Sequence, residues 1–212
     1  MTNAPIPSRA DEQRQRVLKA AAEIFSRRGY RGTTMTEIAD EVGLRKPSLY
    51  HYFRNKEELL VHLYEGVIDE GVSAAREIVA SAPTPREALR QLVAHRVSYT
   101  CQHRDLLTVF FQEEAQLPPA LAESLLVRRR EFEDIFISVV DAALGSGRAS
   151  FQIPVRVYVN ACLGAANWVY KWYNPDGALS PEELGGQIAG LMLDALPDAP
   201  DDGTPAAGRR LA

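Results

Sequence analysis

The chain has 212 residues, of which 46% are hydrophobic and 25% charged, and these values are typical of a globular protein of one or two domains. Two distant cysteines, the lack of an apolar run of membrane-spanning length, and a first segment without a signal-peptide centre argue against disulfide-rich, membrane and secreted proteins. We therefore expect a cytoplasmic protein in which Cys101 and Cys162 are small core residues.

The net charge of −4 is unevenly distributed. Residues 1–56 carry eleven Lys and Arg against six Asp and Glu, whereas the remainder carries thirteen against twenty-two. A basic front on an acidic body indicates that only the front meets a polyanion, although a chance surface imbalance gives the same counts.

The first predicted elements are a mobile arm over residues 1–10 and a helix over residues 11–28, ended by Gly29. Next, residues 33–56 predict two short helices joined by a tight turn. Thr34 and Glu37 have the spacing of a capping box, and Gly43 suits the end of that helix.

Pro47 suits the first position of the second short helix, because a proline there needs no N–H partner. Leu49 and Phe53, four residues apart, predict its buried side. The outward side then carries Arg45, Lys46, Ser48, Tyr50, His51 and Tyr52. A short helix that presents cations, hydroxyls and aromatic OH groups outward suits the major groove of DNA.

The run from about residue 17 to residue 60 closely resembles the DNA-binding domain of TetR-type transcriptional repressors. The matching segments are AAAEIFSRRGYRGTT, the helix-turn-helix described above, and LYHYFRNKEELL. The resemblance implies an all-helical fold of about nine helices: a DNA-binding head over residues 11–56 and a ligand-binding and dimerisation body over residues 57–196. Residues 197–212, rich in Pro, Asp and Gly, are expected to be disordered.

The resemblance also implies which head residues contact DNA. Lys46, Tyr50 and Lys56 match positions that hold phosphates, and Thr34 is placed for a backbone contact. Pro47 stands where the family commonly has a small residue, and its backbone cannot donate a hydrogen bond. The candidates for base edges are Arg45, Ser48, His51 and, in addition, Tyr52. Three further cations beside the head either reach DNA or are solvated charges: Arg9, Arg14 and Arg16.

The middle of the chain predicts four more helical segments. Asn55 and Glu58 suggest a capping box for helix four, which should continue to about residue 80 and link the two domains. Thr84 and Glu87 begin helix five in the same way. A segment over residues 103–116 follows, and then a helix over residues 119–144, in which the run Arg128 to Arg130 is interpreted as a solvated face.

The last two predicted helices are unusually apolar. Residues 154–173 are apolar nearly all round, which requires burial on every side, and Ser180 and Glu183 begin the final helix. The surplus of apolar surface on these two helices predicts either a subunit interface or an intrachain core. The family resemblance favours a homodimer through the last two helices. Because one recognition helix contacts few bases, such a dimer would need a pseudo-palindromic operator.

A second resemblance concerns the body. The segments VFFQEEAQLP and NWVYKWYNPDGALSPEEL resemble TetR-type regulators that sense acyl-CoA thioesters. The resemblance implies an acyl chain among Leu107, Phe110, Phe111 and Trp168, with the CoA phosphates held by Lys171, Arg104 and Arg128. Sparse polar groups among apolar walls also suit a small-molecule pocket, although each could be an ordinary core or surface residue. These groups are Gln112, Glu113, Asn160, Asn167 and Lys171, and Glu114 is a further candidate for contact with the ligand.

Three alternatives stay open from the sequence. The ligand could be a planar or cationic drug-like molecule held by Trp168, Trp172, Glu113 and Glu114, in a regulator of efflux genes. An enzyme is not expected, because the chain lacks a nucleophile–base motif, a Gly-rich phosphate loop and metal-ligand spacing. The chain could also be a binding protein with a vestigial DNA head. No cofactor is predicted apart from the effector.

Overall fold

The computed structural model describes residues 8–145, 148 and 151–197, which form nine α-helices and no strand. The helices are α1 (Arg9–Arg28), α2 (Met35–Glu41), α3 (Lys46–Tyr52), α4 (Lys56–Ser81), α5 (Pro85–Gln102), α6 (Arg104–Gln112), α7 (Pro119–Leu144), α8 (Val155–Trp172) and α9 (Pro181–Leu193). The expected all-helical fold is confirmed. Within this part of the chain, none of the helices combines the length and the apolar character needed to span a bilayer.

The predicted mobile arm and the predicted disordered tail fall mainly on residues 1–7 and 198–212, which lie outside the described residues. The described end of the arm is helical. Ser8 accepts a hydrogen bond from the backbone of Asp11, and Asp11 returns one, so α1 begins at Arg9 instead of at residue 11.

Local capping explains most helix starts. The predicted capping boxes at Thr34 and Ser180 are present, and Gly43 takes the left-handed conformation after α2, with φ of 69°. Two predicted boxes are only half formed. The carboxylate of Glu58 accepts from the backbone N–H of Arg54 instead of Asn55, and the carboxylate of Glu87 instead binds the side chains of Arg90 and Gln91. Pro47 is the second residue of α3, because that helix begins at Lys46.

The head is the three-helix unit α1–α3. Phe25, Ile38, Leu49 and Phe53 fill its core, which continues into α4 and α6. Arg14 binds the backbone O of Tyr52 at 3.0 Å and the Nε2 of His62 at 2.7 Å. Its guanidinium carbon also lies 4.4 Å from the ring centroid of Phe53. Arg14 therefore fastens α1 to α3 and α4, so it is not simply a solvated charge, and its contact with DNA stays a prediction.

The body is built around α5, which packs against α7, α8 and α9. Gly185 makes the close approach of α9 possible, because a Cβ there would lie 2.6 Å from the carbonyl oxygen of Ala94. Cys101 and Cys162 are both buried thiols, which confirms their expected role as core residues. Two arginines of the run in α7 form ion pairs, Arg128 with Asp69 and Arg129 with Glu114.

Helix α8 buries one side and leaves the other exposed. Val159, Leu163 and Val169 lie in the core of the body. The opposite side carries an apolar stripe at helical spacing: Val157, Ala161, Gly164, Trp168 and Trp172. Val157 is 55% exposed and Trp168 59% exposed. Burial on every side is therefore not achieved within one chain. We call these five residues the α8 stripe.

Candidate nucleic-acid interface and ligand cavity

The outward side of α3 is built as expected. Leu49 is fully buried, Tyr50 and His51 are exposed on the outer side of the helix, and Lys46 is exposed in its first turn. Arg45 is exposed at the N-cap of the helix. Ser48 and Tyr52 are half-buried at the edge of this surface, and Tyr52 packs against the head core. The candidates for DNA contact in α3 and at its N-cap therefore lie on one surface. Their individual roles in binding DNA stay predictions.

The remaining two candidates for DNA contact, Thr34 and Lys56, form hydrogen bonds within the head. Thr34 caps α2 through its hydroxyl, and its backbone N–H donates to the carboxylate of Glu37 at 2.8 Å. The ammonium of Lys56 donates to the backbone oxygens of Tyr30 and Thr33 at 2.6 and 2.7 Å. Partial burial lowers the pKa of Lys56 below its usual value. Because an ammonium carries three N–H groups, one donor remains for a phosphate.

A hydrogen-bonded link joins the head to the body. Glu113, at the end of α6, accepts a hydrogen bond from the backbone N–H of Tyr30 at 2.8 Å. Arg31 donates to the side-chain oxygen of Gln116 at 3.0 Å. Tyr30 also receives Lys56 on its ring face, 4.4 Å from the centroid. Glu113 was expected beside a ligand, but it holds the connection between α1 and α2. Nothing in the local sequence indicated this pairing.

The body contains a cavity of about 270 Å³ between α4, α5, α6, α7 and α8. Four of the predicted ligand residues meet there: Phe110, Phe111, Asn160 and Asn167. The other residues lining it are Val67, Ile68, Gly71, Arg96, Arg129, Phe132, Glu133, Leu163 and Gly164. The walls are mainly apolar with a few polar groups, which is the usual composition of a small-molecule site.

The other predicted ligand residues lie elsewhere. Leu107 is fully buried in the core that joins head and body, because its side of α6 packs on that core instead of on the cavity. Trp168 belongs to the α8 stripe, on the outer side of its helix. Glu114 pairs with Arg129, which does line the cavity, and so reaches the site only indirectly.

The three cations expected to hold CoA phosphates do not converge. Arg104 lines a separate cleft of about 900 Å³ between head and body. Arg128 pairs with Asp69, and Lys171 is exposed with its ammonium 5.1 Å from the ring centroid of Tyr170. The residues expected to hold a drug-like cation do not line the cavity either: Trp168, Trp172, Glu113 and Glu114.

Arg96 lines the cavity although the sequence pattern did not single it out as a ligand residue. It is only 7% exposed, lies on α5 and lines the cavity, where its Nε donates to the side-chain oxygen of Asn167 at 2.7 Å. A signal was present in the sequence. Arg96 follows Val93 by three residues and precedes Val97, so it falls on the buried side of α5.

Two family models match the chain. Residues 17–63 match the model described as bacterial regulatory proteins, tetR family, and residues 82–196 match the tetracyclin repressor-like C-terminal domain. The first match covers the helix-turn-helix together with the start of α4. The second covers more than half of the chain and includes most of the helices around the cavity.

Individual proteins of known name or structure are similar to this chain over most of its length. The chain is 28% identical over 199 residues to the HTH-type transcriptional repressor KstR2 of Mycolicibacterium smegmatis, covering 92% of this chain and 96% of that protein. A TetR-family regulator from Bordetella parapertussis 12822 superposes with a TM-score of 0.76 at 26% identity, covering 85% and 94% of the two chains. AibR, solved with isovaleryl coenzyme A and operator DNA, gives a TM-score of 0.71 at 28% identity, covering 87% and 97%.

Proposed function

Since the chain belongs to the TetR family of bacterial transcriptional regulators, we propose that it is a homodimeric repressor that binds a pseudo-palindromic operator and is released by a short-chain acyl-CoA. The observation that carries this proposal is the exposed side of α3, with Lys46, Tyr50 and His51 presented together on a basic head. In this proposal residues 11–56 form the DNA-binding unit and residues 57–196 the sensing and dimerisation unit.

Two observations support an acyl-CoA effector. One similar protein, AibR, was solved with isovaleryl coenzyme A and operator DNA. The cavity of this chain measures about 270 Å³, and that is the volume of about nine liquid water molecules. A space of this size suits an acyl group of about five carbons better than a long fatty chain or a sterol ring system. Phe110 and Phe111 supply apolar wall for such a group.

The CoA portion would remain outside the cavity. Arg129 lines the cavity and is partly exposed, so it is the cation best situated to meet a phosphate at the entrance. Lys171, Arg104 and Arg128 remain candidates for the more distant phosphates, although none of them lines the cavity. No observation favours the drug-like alternative.

We propose that the effector acts by shifting a population. It would favour a separation of the two heads that no longer matches successive major grooves. Helix α4 connects the head to the cavity through Val67 and Ile68, and α6 connects them through Glu113 and Tyr30. For efficient release, the effector must prefer the non-binding state by several kcal/mol.

Fluorescence anisotropy on the DNA flanking the chain's own gene tests this function. Acyl-CoAs of two to eight carbons are added to the preformed complex, with free CoA as the control. We expect a five-carbon acyl-CoA to weaken DNA binding at least about tenfold and free CoA to have little effect. The proposed effector class is wrong if no acyl-CoA changes the DNA affinity and none gives heat in isothermal titration.

A further inference from the structure

Arg96 is a buried cation without an anionic partner. Its side chain is nine-tenths buried, and its guanidinium makes one hydrogen bond within the described part of the chain, from Nε to Asn167. The rings of Tyr99 and Phe132 lie nearby, with centroids 5.8 and 5.7 Å from the guanidinium carbon. Among the described residues, no carboxylate lies within 4 Å of it.

The other charged groups of the cavity are already paired. Arg129 binds Glu114 at 2.9 Å, and Glu133 lies 3.7 Å from Arg156. The uncompensated charge of the cavity is therefore that of Arg96. Burial lowers the pKa of Arg96 to about 10, so the group is still a cation at neutral pH.

The cavity has a buried end and an exposed end, and Arg96 lies at the buried end. Arg96 is buried on α5, whereas two other lining residues reach the surface: Asn160 on α8 is exposed, and Arg129 on α7 is partly exposed. Arg96 also lines a second, narrow space together with Phe132 and the buried Phe136. It therefore lies at the inner end of the cavity, where the part of a ligand that enters first would meet it.

A desolvated guanidinium is costly unless an anion or a set of acceptors completes it. The two Nη groups of Arg96 have no hydrogen-bond partner among the described residues, and Asn167 holds the guanidinium by its third nitrogen. Two parallel N–H donors match the two oxygens of a carboxylate.

We propose that Arg96 selects effectors that carry a carboxylate at the end opposite the point of entry. This inference rests on the proposed ligand-responsive function and narrows its ligand class. The carboxylate could belong to a short dicarboxylic acid or to the monothioester of that acid with CoA. In both molecules the same carboxylate would reach Arg96, and the carbon chain would pack against Phe110 and Phe111.

Calorimetry with matched ligand pairs tests the proposal on the wild-type protein. The thioester pair is glutaryl-CoA and pentanoyl-CoA, which share a five-carbon chain and differ in the terminal carboxylate. The free pair is glutarate and pentanoate. We expect the member with the extra carboxylate to bind at least about tenfold more tightly in the pair that enters the cavity. The pair that gives the tighter binding identifies the source.

Arg96→Met provides the second test, and Arg90→Met, an exposed arginine on the same helix, is the matched control. We expect the preference for the extra carboxylate to disappear in Arg96→Met and to persist in Arg90→Met. The Arg96→Met protein should melt at or above the wild-type temperature, because the substitution removes an unpaired buried charge. If Arg96→Met does not fold, the wild-type pairs and an Arg96→Lys protein still decide the question.

Thermal shift separates failure of this inference from failure of the proposed function. The carboxylate ligand that binds in calorimetry, glutarate or glutaryl-CoA, should raise the melting temperature of the wild type more than sodium chloride of equal ionic strength, and it should raise that of Arg96→Met less. Equal affinities within both pairs, or the absence of any stabilisation or heat from glutarate and glutaryl-CoA, would overturn the role of Arg96. The proposed function fails separately, when no acyl-CoA changes operator affinity.

Discussion

Arg45 and Lys46 are adjacent at the start of α3, and we expect them to act on DNA in different ways. Lys46→Ala should weaken binding to all sequences and reduce the salt dependence by about one phosphate contact. Arg45→Ala should instead relax the preference at one base pair by about 1–3 kcal/mol. Anisotropy titrations at several salt concentrations, on the operator and on an unrelated duplex, measure both effects.

Lys19→Ala is the control for this pair, because Lys19 is an exposed cation on α1 away from the α3 surface. It removes the same charge from the head and should leave the sequence preference unchanged. If the Arg45, Lys46 and wild-type proteins all gave the same salt slope and the same discrimination, the assignment of roles would be wrong.

For single residues, the local sequence pattern predicted well which side chains face outward. It did not predict which side chains form hydrogen bonds with distant parts of the chain. Leu49 and Phe53 indicated the buried side of α3, so Tyr50 and His51 could be placed on its outer side, and Lys46 is exposed because it lies in the first turn. The partners of Lys56 and Glu113 are backbone groups of the α1–α2 connection, distant from both in sequence. Such pairings depend on how helices meet, and helical spacing does not specify them.

Helix α6 is the element that connects cavity and head most directly. Phe110 and Phe111 line the cavity, and Glu113 follows at its end and accepts from Tyr30. We predict that Glu113→Ala loosens the α1–α2 connection and reduces the effect of the effector on DNA affinity by about 0.5–2 kcal/mol. Effector affinity should change little, because Glu113 does not line the cavity.

Glu113→Gln is the matched control, since its amide oxygen can still accept from Tyr30. Hydrogen exchange measures the local effect without any effector: amides of residues 29–34 should exchange faster in Glu113→Ala than in Glu113→Gln or wild type. Equal exchange rates in the three proteins would show that this contact does not order the connection.

Helix boundaries were predictable because caps are local. The hydroxyls of Thr34 and Ser180 each bind a backbone N–H three residues later, so the signal and the structure occupy the same four residues. The orientation of α8 was not predictable, because a helix that is apolar all round gives no preferred rotation. The resemblance to acyl-CoA-sensing regulators places Trp168 at the ligand, but Trp168 lies on the outer stripe.

For the whole molecule, the α8 stripe is the surface that we expect a second copy to cover. Val157→Glu places a charge at the N-terminal end of that contact, where it would be desolvated without a partner. We predict that light scattering gives the monomer mass of 23.5 kDa for this variant and twice that for the wild type. Operator affinity should fall at least about tenfold, because each monomer then holds only one half-site.

Val127→Glu is the control, because Val127 on α7 is 64% exposed and lies outside the α8 stripe. It makes the same chemical change on another surface and should leave the protein dimeric. If the wild type is monomeric, or if Val157→Glu and Val127→Glu have the same mass, the α8 stripe is not the dimer interface.

The central claim is that two copies of the basic head bind one duplex together. The most direct test of this claim is footprinting on the DNA that flanks the chain's own gene. The stoichiometry of the complex is measured on the same fragment. We predict protection of one pseudo-palindromic site, whose half-sites lie about one helical turn or a multiple of it apart, by an even number of chains. A protein that protects no site in low salt, or that binds every duplex equally as a single chain, would contradict the account.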